Sequence, residues 1–446
     1  MLSGLRHFVS DVGHWLTERR WRVLVVLVAG MAVAAAGLGG YLLATDDDGS
    51  EEAEGPGPQV LVQEVPQPEA TEALGFPAFA TANTTRVAGT DPIANAAGVA
   101  LAVYPSAGGV AGPAAVALVD AADWPAGIAA ASLAADPIGA PLLVTEGGEV
   151  PELTADALRA LAPSGSPETN ERQAFSIGAA ARSDGLETLE VEGANAAEVA
   201  AGIARLRARL VGGEPQHVVL ASSDEPAFAM PAASWAARSG DPVLFVQRNS
   251  VPGATLQALR DYEGVPVYVL GPESAISPDA MRQIKQVAPE ALRVGADEPV
   301  ANAIAFARLA DGAFGWNIND PGHGLVFANA DRPLDAAAAA PLSASGTWGP
   351  LLVTDDATAV PGPLRGYLLD LKPGYEDDPT RAVYNHAWLI GDTGAFEVAF
   401  QAQVDELIAL APIRSGTGST ELAPPPGTTE PEPRADSGGQ DSGADR

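Results

Sequence analysis

Three Asp-x-Pro turns are the clearest candidates for binding chemistry in this 446-residue chain. Asp123, Asp224 and Asp331 each follow a short apolar run. A carboxylate at such a turn can accept a hydrogen bond from a sugar hydroxyl or coordinate calcium. An Asp followed closely by Pro is also a frequent helix start, in which the carboxylate caps the first turn. The sequence leaves both interpretations open.

Two arginines and two threonines form the second set of candidates. Arg86 and Arg293 occupy equivalent places in a chain whose net charge is −32, and a guanidinium can fork onto a phosphate or carboxylate. A local salt bridge with a neighbouring acid is the alternative. Thr145 and Thr354 each end an apolar run. Their hydroxyls could donate to a polymer or simply form turns.

Signals for catalysis are weak. The chain has no Cys, which excludes a thiol nucleophile, a disulfide framework and an iron–sulfur cluster. His217, His323 and His386 are not spaced as metal ligands, and no nucleophile-elbow or zinc-protease motif occurs. We therefore expect no enzyme. A small-molecule sensor or hydrolase that uses the rim of a sheet remains an alternative.

The elements that must position these residues are repeated three times. Each copy contains an opening strand, an Asp-x-Pro turn after an apolar strand, a strand led by proline, and an apolar strand that ends in glycine. The opening strands carry Arg86, Glu190 and Arg293; the turns begin at Asp123, Asp224 and Asp331; the leading prolines are Pro141, Pro242 and Pro350; the closing glycines are Gly178, Gly271 and Gly391. Apolar strands that alternate with amphipathic helices predict an α/β fold of three tandem Rossmann-like modules with mostly parallel sheets.

Three segments carry a family resemblance. Pro333–Leu342, Pro350–Thr354 and Tyr268–Ser277 resemble the cell-wall-binding repeat 2 family, and the resemblance covers roughly Thr85 to Leu410. It implies three modules in a pseudo-threefold arrangement that hold envelope glycopolymers without covalent bonds. It also makes Asp335 a ligand-binding candidate, and it would place Arg86 and Arg293 in grooves between modules. The family's Asp-Arg-Tyr opening is replaced here by Asp91-Pro92-Ile93, and Glu190 stands where the other copies have arginine.

The N-terminal part of the sequence predicts that the protein is attached to a membrane. Residues 23–44 carry no charge and are long enough to cross a hydrocarbon core of about 30 Å. Arginines precede this stretch and aspartates follow it, so the N-terminus is expected in the cytoplasm and the rest outside. A cleaved signal peptide is the alternative. The predicted organisation is a cytoplasmic N-terminus (1–22), a transmembrane helix (23–44), an acidic disordered stalk (45–76), modules at 77–188, 189–291 and 292–411, and a disordered tail (412–446).

These features together predict a single-pass, exterior-facing cell-envelope protein. Its modules would bind a cell-wall polymer, either a glycan or an anionic secondary polymer. With 57 acidic against 25 basic residues the chain should repel nucleic acid. We expect no cofactor, although a divalent cation such as calcium could bridge the protein to an anionic polymer. A scaffold that binds a protein partner in an envelope-assembly complex is the alternative.

Overall fold

The computed structural model describes residues 80–105, 112–344 and 349–413. Their strands are β1 (Thr84–Val87), β2 (Val116–Asp120), β3 (Leu142–Thr145), β4 (Ala174–Ile177), β5 (Thr188–Val191), β6 (Val218–Ser222), β7 (Val243–Val246), β8 (Val267–Leu270), β9 (Leu292–Val294), β10 (Gly324–Asn329), β11 (Leu351–Thr354), β12 (Gly374–Tyr375), β13 (His386–Ile390) and β14 (Ala411–Pro412).

The helices alternate with these strands. They are α1 (Pro92–Val103), α2 (Trp124–Ala130), α3 (Glu152–Leu161), α4 (Ala196–Val211), α5 (Pro226–Ala229), α6 (Pro231–Ser239), α7 (Gly253–Asp261), α8 (Pro278–Lys285), α9 (Pro299–Arg308), α10 (Pro333–Ala344), α11 (Gly362–Asp370) and α12 (Val398–Ile408), with 3₁₀ turns at Ala131–Ala134, Pro167–Thr169 and Pro379–Arg381.

Twelve of the strands form three four-stranded sheets with the same strand arrangement. The first sheet has the order β3-β2-β4-β5, the second β7-β6-β8-β9, and the third β11-β10-β13-β1. Every pairing in these sheets is parallel. The inner strands are buried, which explains their continuous runs of Val, Leu and Ala. The predicted α/β class with parallel sheets is confirmed.

The opening strand of each repeat lies at a sheet edge, and it pairs with the closing strand of another repeat. β5 joins the first sheet, β9 joins the second, and β1 completes the third sheet from the other end of the chain, where Arg86 lies opposite Leu389. The boundaries predicted at 189 and 292 separate β5 and β9 from the sheets in which they pair. Sequence periodicity marks where a unit repeats, but tertiary pairing decides which sheet each strand joins.

Alanine-rich helices connect the three sheets. α10 packs on α6 and α1, and α6 packs on the 3₁₀ turn Ala131–Ala134. The small side chains allow close approach of the helices, and Ser234 on α6 accepts a 3.1 Å hydrogen bond from the Leu351 N–H at the start of β11. One buried apolar cluster extends from Val87 to Ile390 and includes residues of all three sheets. The core is therefore shared among the sheets.

Several predicted segments lie outside the described residues. These are residues 1–22, the predicted span 23–44, the stalk 45–76, and residues 414–446 of the predicted tail. Among the helices that the structure describes, none combines the length and the apolar character needed to cross a membrane. The predicted tail begins inside the described part, because Pro412 belongs to β14 and Ile413 donates to the Tyr375 carbonyl at 2.7 Å.

Candidate functional site at the strand ends

The carboxyl ends of the parallel strands form one rim on each sheet, and most of the candidate residues lie there. In open parallel sheets this rim is where loops and helix N-termini converge on ligands. Asp123 and Thr145 lie at the first rim, Asp224 at the second, and Asp331 and Thr354 at the third. The candidates therefore fall into three separate sets.

The three Asp-x-Pro turns do not behave alike. Asp123 caps α2, since its Oδ1 accepts a 3.0 Å hydrogen bond from the Ala126 N–H. Asp224 instead accepts from the Arg248 N–H at 2.8 Å and so joins two strand-end loops. Asp331 is exposed, and its carboxylate has no hydrogen bond or ion pair within the described ranges. Of the three, Asp331 keeps the most acceptor capacity for a ligand.

Both threonine candidates are buried, and their hydroxyls are bound to backbone groups of the chain. The Thr145 hydroxyl accepts from the Ala181 N–H at 3.1 Å, and the Thr354 hydroxyl accepts from the Asp356 N–H at 3.2 Å. Neither side chain is exposed to solvent. Thr354 therefore forms a turn, whereas Thr145 links the end of β3 to the loop after β4.

Arg86 is completely buried beneath the third rim. Its Nε donates to Gln401 at 2.9 Å, and its terminal nitrogens donate to the carbonyls of Asp392 (2.9 Å) and Phe396 (2.6 Å). Burial lowers the pKa of Arg86 to about 10, although nearby Asp392 opposes this shift. The guanidinium thus binds the loop after β13 and does not face a groove.

Arg293 makes the corresponding contacts in the second sheet, but it is only half-buried. It donates to the carbonyls of Gly271 and Ile276, both at 2.7 Å. Burial lowers its pKa as well, and the Glu273 carboxylate opposes this. In the first sheet the equivalent Glu190 reverses the charge and pairs with Arg182, at a distance of 2.6 Å.

Asp335 is buried where α10 meets α1. Its Oδ1 accepts from the Asn95 amide at 3.0 Å, and its Oδ2 forms an ion pair with Arg332 at 2.8 Å. Arg332 also reaches the Asp392 carboxylate at 3.0 Å. Burial raises the pKa of Asp335 to about 6, whereas Arg332 and the Asn95 hydrogen bond oppose the rise. Asp335 therefore belongs to a buried polar junction and not to an open surface.

Sequence reasoning missed several residues of these junctions. Arg332 is the middle residue of the third Asp-x-Pro turn, and Asn95 lies on the alanine-rich helix α1, so neither position carries a local signal of its contact with Asp335. Arg207 is buried on α4 and donates to the carbonyls of Gly240 (2.9 Å) and Asp136 (2.8 Å). Burial lowers the pKa of Arg207 to about 10. No local sequence signal marks Arg207, because it occupies an ordinary position of an amphipathic helix.

Two histidines of the described residues are held in place by neighbouring side chains. His217 lies 3.0 Å from the Asp241 carboxylate, which also accepts from Trp235 at 2.9 Å. His386 lies 3.0 Å from the Thr85 hydroxyl, and burial lowers its pKa. Within the ranges that the structure describes, no group of His, Asp and Glu is arranged to hold a metal ion.

Three open grooves lie on the surface of the first and second sheets and their helices. One of about 220 Å³ lies against Arg207 and Asp241, one of about 370 Å³ against Arg293 and α8, and one of about 420 Å³ against Arg159. All three open to solvent. Such shapes suit contact with an extended ligand better than enclosure of a small substrate.

Residues 190–281 match the family model described as cell wall binding domain 2 (CWB2). In this stretch the chain resembles a CWB2 domain. The family resemblance predicted from the sequence is thereby confirmed, and the CWB2 match begins at Glu190 in β5 and ends in α8. No curated protein sequence matches the chain.

Two solved structures share the fold. Cwp6 from Clostridium difficile is 19% identical with a TM-score of 0.58, and the match covers 73% of this chain and 48% of Cwp6. Cwp8 from Clostridium difficile is 18% identical with a TM-score of 0.55, and the match covers 73% of this chain and 52% of Cwp8. The chain therefore spans about half the length of these two proteins.

Proposed function

We propose that this protein is an exterior-facing cell-envelope protein that binds a cell-wall polymer without covalent chemistry. The CWB2 match at residues 190–281 is the single observation that carries the proposal. The fold shared with the cell-wall proteins Cwp6 and Cwp8 supports it. The predicted span 23–44 would anchor the protein in the membrane, with the N-terminus in the cytoplasm and the modules outside.

The modules are proposed to form a pseudo-threefold arrangement. Three sheets with one strand order, together with the packing of α10 on α6 and of α6 on Ala131–Ala134, support this. In such an arrangement each sheet would present its rim to the polymer. A long polymer could then contact several weak sites at once, which raises the overall affinity without a deep pocket.

Catalysis is not part of the proposal. Two of the groups that could act as acid or base are engaged in structural contacts: His217 with Asp241, and Asp335 with Arg332. The large excess of acidic residues opposes direct attraction to an anionic polymer. Binding to an anionic polymer would therefore need either local clusters of cations or a bridging divalent ion, whereas a neutral glycan would need neither.

Sedimentation with purified cell walls tests this proposal. The full chain in detergent is mixed with walls of the organism that makes it, with and without a chelator, and the pelleted fraction is measured. We expect saturable retention. A loss of retention with chelator would assign the contact to a bridging cation, and retention that resists chelator would assign it to direct contacts. The proposal fails if the protein stays in the supernatant in both conditions.

A further inference from the structure

A groove of about 370 Å³ beside α8 has a positively charged lining. Arg282 and Lys285 project from the last turn of α8, and Arg293 lies behind them on β9. The carboxylate of Glu273 is the one acidic group in the lining of this groove. The lining therefore has a net positive charge, whereas the whole chain has a net charge of −32.

The two cations of α8 are available to a ligand. Lys285 is exposed and has no ion-pair partner among residues 80–105, 112–344 and 349–413. Arg282 pairs with Asp279, but both side chains are at least 65% exposed. An exposed pair of this kind is weak because water screens both charges, so an anion can replace Asp279 at little cost.

The third sheet provides a comparison for the position of Lys285. α12 corresponds to α8, because Gln403 and Gln283 accept matching hydrogen bonds from Val360 and Val251. Asp405 in the third sheet therefore occupies the position that Lys285 occupies in the second sheet.

Asp405 holds a piece of the chain itself. Its carboxylate accepts hydrogen bonds from the Thr81 hydroxyl and, at 2.8 Å, from the Asn83 N–H. Residues 81–84 thus cross the end of α12, and Gln401 donates to the Thr84 hydroxyl at 2.8 Å. In the third sheet an acidic side chain therefore binds donors that the chain supplies.

In the second sheet the sign of this position is reversed, and Lys285 lines an open groove. Lys285 offers donors where Asp405 accepts them, and Leu292 at the adjacent strand edge is half exposed. The terminal nitrogens of Arg293 are committed to the Gly271 and Ile276 carbonyls. Arg293 therefore acts as a fixed positive charge at the back of the groove.

We propose that this groove binds a phosphate or carboxylate group of an extended polymer, with Lys285 and Arg282 as the direct donors and Arg293 as a fixed charge behind them. The inference rests on the proposed function and names the contact that one module makes. Cations in the last turn of a helix also complement the helix dipole. Helices α4 and α7 provide the comparison, because Arg209 and Arg260 occupy their last turns without lining this groove.

The test compares two double variants of the full chain. Lys285→Gln with Arg282→Gln removes the donors of the groove, and Arg209→Gln with Arg260→Gln removes the same charge from other helix ends. Poly(glycerol phosphate), polygalacturonate and uncharged dextran are the probes. We expect wild type to bind at least one anionic probe more weakly as salt increases. The groove variant should bind at least tenfold more weakly, and the control variant should stay within about twofold.

The two anionic probes separate phosphate from carboxylate as the recognised group. The inference is overturned if wild type binds neither anionic probe, or if both double variants lose affinity equally. Parallel wall sedimentation separates it from the proposed function. Walls that retain the groove variant as well as wild type overturn the inference alone. Probe binding that needs Lys285, together with no wall retention, overturns the proposed function alone.

Discussion

Glu190 and Arg182 form an ion pair of 2.6 Å at the edge of the first sheet, and this pair reverses the polarity found in the other two sheets. There the edge strand carries the arginine, and the loop supplies the carbonyl acceptors, as for Arg86 and Phe396. The first sheet places the cation on the loop and the anion on the strand. Its pair is also more exposed, with 69% of the Arg182 side chain accessible.

This difference predicts unequal costs of mutation. Glu190→Ala removes a surface ion pair and should lower the free energy of unfolding by less than about 1 kcal/mol. Arg86→Ala leaves buried carbonyls and Gln401 without their donor and creates a cavity, so it should cost about 3–5 kcal/mol. Urea unfolding of both variants measures the difference. Equal costs would show that Arg86 does not hold the third sheet as described.

The raised pKa of Asp335 predicts that the free energy of unfolding depends on pH. Its folded pKa of about 6 lies above the value of about 3.9 for an unfolded chain, so the folded state binds the proton more tightly. Its contribution to stability is therefore complete below about pH 4 and is lost as the pH rises through 6. A shift of this size corresponds to at most about 3 kcal/mol.

Asp335→Asn isolates this contribution from that of all other acids. The stability of wild type relative to Asp335→Asn should fall between pH 4.5 and pH 7.5, as measured by urea unfolding at each pH. A difference that does not change with pH, or that grows in the opposite direction, would contradict the buried position of this carboxylate.

Gly127 tests the packing of the central helices. A Cβ at Gly127 on α2 would lie 2.5 Å from Leu334 Cδ1 and 3.1 Å from Ala337 Cβ on α10. Gly127→Ala should therefore destabilise the protein by about 1–2 kcal/mol through overpacking. Gly366 on α11 has open space around it, so Gly366→Ala should instead stabilise by about 0.5–1 kcal/mol. Thermal unfolding of both variants gives the signs. If Gly127→Ala is stabilising too, α2 and α10 do not pack as closely as the structure shows.

The apolar strands and their ends were predictable because burial on both faces leaves a continuous Val, Leu and Ala signature. The capping role of Asp123 was foreseen as one of two interpretations, since Asp-x-Pro is a local signal. The partner sheet of β1 was not predictable, because it pairs with β13 some 300 residues away. The buried roles of Arg86 and Asp335 were not predictable for the same reason, because Arg86 binds Asp392 and Asp335 binds Asn95, each far away in the sequence.

The opposite charges of Lys285 and Asp405 at equivalent positions could not be recognised from the sequence either. Both residues lie on amphipathic helices, where a charge usually marks a solvated face. Only the correspondence of α8 with α12 shows that one position binds the chain and that the other is open. The sequence repeat therefore predicted the scaffold well, whereas the differences between its copies needed the structure.

The central claim is that the exterior region recognises cell-wall polymer. Calorimetric titration tests it most directly: polymer released from purified walls is added to the full chain, and the heat of binding is measured. We predict saturable binding that persists after removal of wall proteins. No measurable binding to polymer, together with no retention on intact walls, would contradict the claim.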